Sequence, residues 1–220
     1  MDTQERTGSL AELRKRVTSC RRCPRLVAYH EQQQRLFPQH HCAPVPPWGA
    51  SRPRLMVVGL APGLHGAGRT GRGFVGDASG AFLFAALHRH GFATSPRAEE
   101  AQLVQTCITN IVKCLPPKNR PAAEEKAACA SFLREELTAF SPGPRAKPKV
   151  LLCLGGDAFQ ALRGLIGFNS GQFAHGDSIQ LAQNLTLFSS YHPSRLNVNT
   201  GRLTQRMFDQ VLADIRATLG

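Results

Sequence analysis

Four cysteines carry the clearest metal-binding chemistry in the chain. Cys20-Arg-Arg-Cys23 is a C-x2-C pair, a spacing at which two thiolates reach one metal centre. Cys114 follows an apolar run and Cys129 falls on the helical stretch after it, so both can face the same centre. Spacing alone leaves open a four-cysteine zinc site or an iron–sulfur cluster, since both use four thiolates. The chain has 7 cysteines and a polar start at Met1–Gly8 that lacks the apolar core of a signal peptide. A reducing, cytoplasmic setting is therefore expected, in which metal binding or burial rather than a disulfide framework explains them. Cys107 and Cys153 sit inside apolar runs and read as core; Cys42, beside a proline-rich stretch, reads as a bystander.

A second group of residues clusters in glycine- and polar-rich loops. These are Gly59-Leu-Ala-Pro-Gly63, the stretch from His65 through Phe74 to Asp77, Thr109-Asn-Ile-Val-Lys-Cys114, and Tyr191-His-Pro-Ser194. Their placement depends on the elements between them. Ser9-Leu-Ala-Glu12 suits a capping box opening a helix with Leu10, Leu13 and Val17 on one face. Phe37–Pro53 holds five prolines and reads as an irregular surface crossing. Arg54–Leu60 is a buried strand entering a Gly/Pro loop. Asp77 then suits the cap of a helix that turns Phe82, Leu83, Ala86 and Leu87 inward and ends at Gly91. Leu103–Val112 reads as a strand, and Pro121 suits the first turn of a helix running through Phe132, Leu133 and Leu137. Lys149–Leu154 is a third strand, Asp157 opens a short helix, and Leu185–Ser190 is a fourth strand. Leu203, Met207, Val211, Leu212 and Ile215 fit a last amphipathic helix.

Strand and helix thus alternate four times. The expected fold is α/β: a three-layer α/β/α sandwich around a central four-stranded parallel sheet. A single domain over 1–220 is expected, with the N-terminal helix and cysteine-bearing segment at 9–53. Ligands of such sheets bind beyond the carboxyl ends of the strands. That rule selects the loops Ala61–Asp77, Asn110–Pro117, Gly155–Asp157 and Tyr191–Thr204.

Bulk properties agree with a compact, polyanion-binding chain. At 220 residues and 42% hydrophobic content the chain can bury a substantial core. Its formal charge of +12 favours a nucleic-acid partner, although a basic surface without function gives the same number. In the stretch Met1–Arg72, 12 Lys and Arg stand against 4 Asp and Glu, so the first third carries most of the excess. No segment is apolar for long enough to span a bilayer.

The cysteine pattern and the loop motifs, in this order, resemble the uracil-DNA glycosylase superfamily, in its iron–sulfur-containing branches, families 4 and 5. Family 4 carries a Glu where this chain has Leu60. The segments Arg69–Arg72, Gly76–Gly80 and Asn197–Thr204 are similar to family 5. The resemblance covers Cys20 to the last helix. It implies a [4Fe-4S] cluster on Cys20, Cys23, Cys114 and Cys129. It also implies a monomeric enzyme of the bacterial or archaeal cytosol, associated with the nucleoid. Its substrate would be DNA containing uracil, hydroxymethyluracil, ethenocytosine or deaminated purines.

Breaking an N-glycosidic bond leaves positive charge on the sugar and negative charge on the departing base, so electrostatics can carry the reaction. His192 is the candidate donor to the base anion: a neutral imidazole of fixed tautomer hydrogen-bonds a developing oxyanion. By the resemblance, Asp77 orients the water and stabilises the cationic sugar; it equally suits a plain helix N-cap. Phe74 offers a face on which an extruded base stacks, and Asn110 a donor and acceptor for a pyrimidine edge. Around Gly59, backbone N–H groups of Leu60, Ala61 and Gly63 can approach base oxygens. Arg69, Arg72 and Arg195 are candidate phosphate contacts, and Leu196 a wedge for the gap left by the base. His65 either lines the pocket or caps the glycine loop. No lysine stands among these candidates, so a monofunctional enzyme without Schiff-base chemistry is expected. A non-catalytic iron–sulfur DNA-binding or redox-sensing protein is the alternative. A zinc nucleobase deaminase fits poorly, because the chain has no H-x-E segment.

Overall fold

The computed structural model describes residues 10–143 and 146–220. Six strands form one sheet: β1 (Trp48–Gly49), β2 (Leu55–Gly59), β3 (Thr106–Asn110), β4 (Lys149–Leu154), β5 (Ser178–Ala182) and β6 (Leu185–Ser190). Their spatial order is β1-β3-β2-β4-β6-β5. The four inner strands run parallel, as the alternation of elements requires. The short outer strands β1 and β5 pair antiparallel to their neighbours, so the sheet is wider than the expected four strands. β5 closes a hairpin on β6 and shows strict alternation, with Ile179 and Leu181 inward.

Eight α-helices accompany the sheet among the described residues: α1 (Leu10–Thr18), α2 (Pro24–Leu36), α3 (Ala67–Thr70), α4 (Ala78–Arg89), α5 (Ala123–Phe140), α6 (Gly156–Ile166), α7 (Arg195–Asn199) and α8 (Gln205–Leu219). Alternate residues of each inner strand feed two cores. Leu55 and Val57 of β2, with Val150 and Leu152 of β4, meet Leu83 and Phe84 of α4 and Phe208 and Val211 of α8. Met56 and Val58, with Leu151 and Cys153, face α1, α2, α5 and α6 through Val17, Leu26, Phe132, Leu133 and Phe159. This is the three-layer α/β/α sandwich.

Several details differ from the sequence expectation. α2 opens at Pro24, a residue whose fixed φ suits a first helical turn, but its polar Gln32-Gln33-Gln34 run hides the periodicity. The Phe37–Pro53 stretch is not a surface crossing. Cys42, Pro44, Val45 and Pro47 are buried, and Trp48–Gly49 extends the sheet. Pro121 lies before α5 rather than in it; Ala122 is the cap residue, and Glu125 accepts its N–H at 2.7 Å. In α4 the fully buried aromatic is Phe84, with Phe82 half-buried against Phe208. Ser9 and the side chain of Leu10 lie outside the described residues. Among those residues, no helix is long and apolar enough to cross a membrane.

Candidate active site

Because β3, β2, β4 and β6 are parallel, their carboxyl ends share one edge of the sheet, and a cleft of about 450 Å³ opens there. Its lining comes from three of the four loops singled out by sequence. Leu60, Ala61, Gly63, Phe74 and Asp77 come from the loop after β2; Asn110 ends β3; His192 and Arg195 follow β6. The Gly155–Asp157 loop contributes nothing to the lining: Asp157 instead pairs with Lys126 on α5 at 2.7 Å.

Gly59 marks the floor. A Cβ at that position would stand 2.5 Å from Asn110 Oδ1 and 2.8 Å from the Phe74 ring, so only glycine lets both side chains close over the strand end. Phe74 has φ +59°, a left-handed conformation that a bulky residue rarely holds and that costs on the order of 1–3 kcal/mol. Its carbonyl packs so tightly on Gly80 that a Cβ there would overlap it. The strain turns the ring into the cleft.

Asp77 is the helix N-cap and also lines the cleft. Oδ1 accepts the Gly80 N–H at 2.9 Å and caps α4. Oδ2 is turned to the glycine loop, 3.4 Å from where a Gly63 Cβ would stand. The cap therefore fixes the carboxylate while leaving one oxygen toward the cleft.

His192 is held by its backbone. Its carbonyl accepts the Ser194 N–H at 2.8 Å and the Asn197 Nδ2–H at 2.8 Å. Ser194 in turn caps α7. The His192 ring nitrogens make no hydrogen bond among the described residues, and the ring lies 5.7 Å from that of Phe74. Burial holds its pKa below the usual histidine value; the Asp77 carboxylate pulls the other way but is the weaker influence. The imidazole is thus neutral at neutral pH.

Around the mouth, Arg195 lines the cleft and Leu196 is 73% exposed, an unusual state for a leucine. Arg69 and Arg72 are engaged elsewhere. Arg69 donates to the His65 and Gly76 carbonyls, both at 3.1 Å, and braces the loop. Arg72 donates to the Glu99 carbonyl and stacks over Trp48. His65 is exposed and edges against the rings of Phe37 and His40. Sequence reasoning missed Asn119, which lines the cleft and, like Asp77, lies close to Gly63. Asn119 and Lys118 both have positive φ, +55° and +54°, and the signal was a Pro-Pro-Lys-Asn turn in which asparagine tolerates that geometry.

The four singled-out cysteines line one separate apolar cleft with Leu26, Val27, Val112 and Phe132. The Lys113 N–H donates to Cys129 Sγ at 3.3 Å. Burial and the neighbouring cysteines push the Cys114 thiol up, and burial raises Cys23 and Cys129 as well. Those three thiols are thus held against ionisation, which a cationic centre bound among them would offset. Among the described residues no group of three or more His, Cys, Asp or Glu is placed to hold a metal ion. Cys107 and Cys153 are buried in β3 and β4, their thiols pushed up to about 12 and about 11, which makes them inert core residues.

Fold and cleft define an α/β protein with a cleft of mixed polar and aromatic lining at the carboxyl edge of its sheet. The sequence profile of the uracil DNA glycosylase superfamily matches residues 46–216. A Type-5 uracil-DNA glycosylase of Pyrobaculum aerophilum is 43% identical over 213 residues, 93% of this chain and 91% of the relative. A Type-5 uracil-DNA glycosylase of Mycobacterium leprae is 41% identical, covering 97% of each chain. A Type-4 uracil-DNA glycosylase of Pyrobaculum aerophilum is more distant, 33% identical over 72% of this chain and 66% of the relative. The chain belongs to the uracil-DNA glycosylase superfamily, whose members are glycosidases, and stands nearer the Type-5 than the Type-4 relatives.

Proposed function

We propose that this chain hydrolyses the N-glycosidic bond between deoxyribose and uracil, or another deaminated or damaged base, in DNA. The step opens base excision repair, and it leaves the abasic site uncut. The observation that carries the reading is His192: a neutral imidazole with unengaged ring nitrogens, facing Phe74 in a cleft that also holds Asp77. The Type-5 relatives are named for the same activity.

Phe74 stacks the extruded base and Asn110 meets its polar edge, with backbone N–H groups of Leu60, Ala61 and Gly63 beside it. As the bond lengthens, negative charge grows on the base and the His192 ring donates to it. Positive charge grows on the sugar, where the Asp77 carboxylate stabilises it and holds the attacking water. Arg195 contacts phosphate and Leu196 fills the gap in the stack. Arg69 and Arg72 support the loop and contact DNA only along its flank.

The same proposal gives Cys20, Cys23, Cys114 and Cys129 a [4Fe-4S] cluster. Four cysteines around one apolar cleft, with a backbone N–H on the Cys129 sulfur, support that reading. When bound, it supplies cross-linking of the α1–α2 connection to β3 and α5. One chain carries the complete cleft, and the reading is of a monomer acting on DNA in the cytoplasm. A purely DNA-binding or redox-sensing role leaves the strained Phe74 and the unengaged His192 ring without a purpose.

The test is base release from DNA containing uracil, hypoxanthine, xanthine or ethenocytosine by wild type, Asp77→Asn and His192→Ala. Free base from the wild type and its loss in both variants is the expected result. No release from any substrate by protein with its cluster intact would sink the reading.

A further inference from the structure

Lys113 is only 1% exposed and lies between the two clefts. A buried ammonium persists only when its three donors are matched. Here Nζ donates to Thr109 Oγ1 at 2.6 Å, to the Asn110 carbonyl at 2.6 Å and to Glu136 Oε2 at 2.9 Å. Glu136, on α5, is itself buried and accepts the Thr109 hydroxyl at 2.7 Å. The backbone of Lys113 is pinned as well: its N–H meets Cys129 Sγ, and its carbonyl accepts the Val45 N–H at 2.7 Å.

The Asn110 carbonyl needs that ammonium. Ile111 donates to the Gly59 carbonyl at 2.9 Å, so strand alternation turns the Asn110 carbonyl the opposite way, toward β1. β1 reaches only to Trp48, opposite Ile108, and no strand residue stands against Asn110 on that side. Lys113 Nζ takes the place of the missing ladder donor. On the other side of the same residue, the Asn110 side chain lies over Gly59 and lines the base cleft.

We propose that Lys113 is a positioning residue for base recognition: by clamping the Asn110 carbonyl to Glu136 and Thr109, it fixes the angle at which the Asn110 side chain meets the extruded base. The inference rests on the base-excision reading above. It makes an ion pair with no solvent contact part of substrate recognition rather than of stability alone.

A double-mutant cycle tests it. The neutral pair Lys113→Met/Glu136→Gln, close in volume to the original, is combined with Asn110→Ala, and kcat/KM for uracil release from single-stranded DNA is measured. The pair is expected to lose about tenfold or more with Asn110 present and less than about twofold in the Asn110→Ala background. The ratio of uracil to hypoxanthine release should also shift in the direction that Asn110→Ala shifts it. Should the neutral pair fail to fold, Lys113→Arg, whose broader head displaces the contact to Asn110, enters the same cycle under the same criteria. Equal losses in both backgrounds, no loss at all, or an unchanged base ratio would overturn the positioning role and leave the activity reading standing. A wild type that releases no uracil would overturn both.

Discussion

The ring of Phe74 stands 5.7 Å from the ring of His192, tilted by 35°. One ring is held there by a strained backbone at φ +59°, the other by two hydrogen bonds to its own carbonyl. A base stacked on Phe74 therefore presents its edge to an imidazole that has no competing partner. Two rings fixed by their backbones need no rearrangement when charge develops, which is the condition for strong electrostatic catalysis.

His192→Ala should lower kcat/KM for uracil release by about 10²–10³-fold, the usual cost of losing one donor to a developing oxyanion. DNA affinity should change little, because the proposed reading assigns phosphate contact to Arg195 rather than to His192. Single-turnover base release alongside a binding titration separates the two quantities.

The pH profile follows from the same residue. Burial lowers the His192 pKa, so the neutral ring persists at and somewhat below the ordinary histidine pKa of about 6.5. Activity should be level from neutral pH upward through the mildly alkaline range. It should fall on the acid side, at a midpoint below the ordinary histidine value. A rate that instead rises as the histidine protonates would show imidazolium to be the active form.

Gly59→Ala should disable the cleft while sparing the fold. The new methyl would collide with Asn110 Oδ1 and the Phe74 ring, both of which are side chains. Displacement of recognition groups by roughly 1 Å costs about 10²-fold. The expected outcome is that loss in kcat/KM, with a cooperative thermal transition retained.

Leu196 is exposed, so Leu196→Ala should change stability by no more than about 0.5 kcal/mol. Its effect should appear in the substrate. Release from duplex DNA should fall more than release from single strands, where no stack has to be opened. Equal rates for the two substrates in wild type and variant would exclude the wedge.

Cys114→Ser should remove iron and sulfide together, bleach visible absorbance, and lower stability. A loss of about 2 kcal/mol or more, a drop of roughly 4–8 °C in Tm for a chain of this size, is expected from losing a structural metal group. Cys42→Ser, outside the cysteine cleft, should keep the full iron content.

The inner strands were legible as apolar runs, and α1 and α8 by the helical spacing of their apolar residues. Leu55–Gly59 and Lys149–Leu154 are continuous apolar runs, as strands buried on both faces must be. α2 was not legible: its buried face includes His30 and Gln33, polar residues that no hydropathy pattern assigns to a core. His30 is there because its Nε2 accepts the Leu115 N–H at 3.0 Å, a long-range contact invisible in sequence. β5 alternates strictly, but over five residues with only Ile179 and Leu181 turned inward, too short a run to stand out in the sequence. The lining of the cleft was readable where motifs carry it, at Phe74, Asp77, Asn110 and His192. Asn119 and Lys113 were not, since one depends on turn geometry and the other on a partner 23 positions away.

The cysteine cleft joins the beginning of the chain to its middle. During synthesis Cys20 and Cys23 leave the ribosome long before Cys114 and Cys129, and the cleft does not exist until β3 and α5 have formed. Through that interval the two early thiols are solvent-facing, open to oxidants and to stray metal ions. In the finished protein Cys129 is buried and the other three are partly covered; in the nascent one Cys20 and Cys23 lack even that cover.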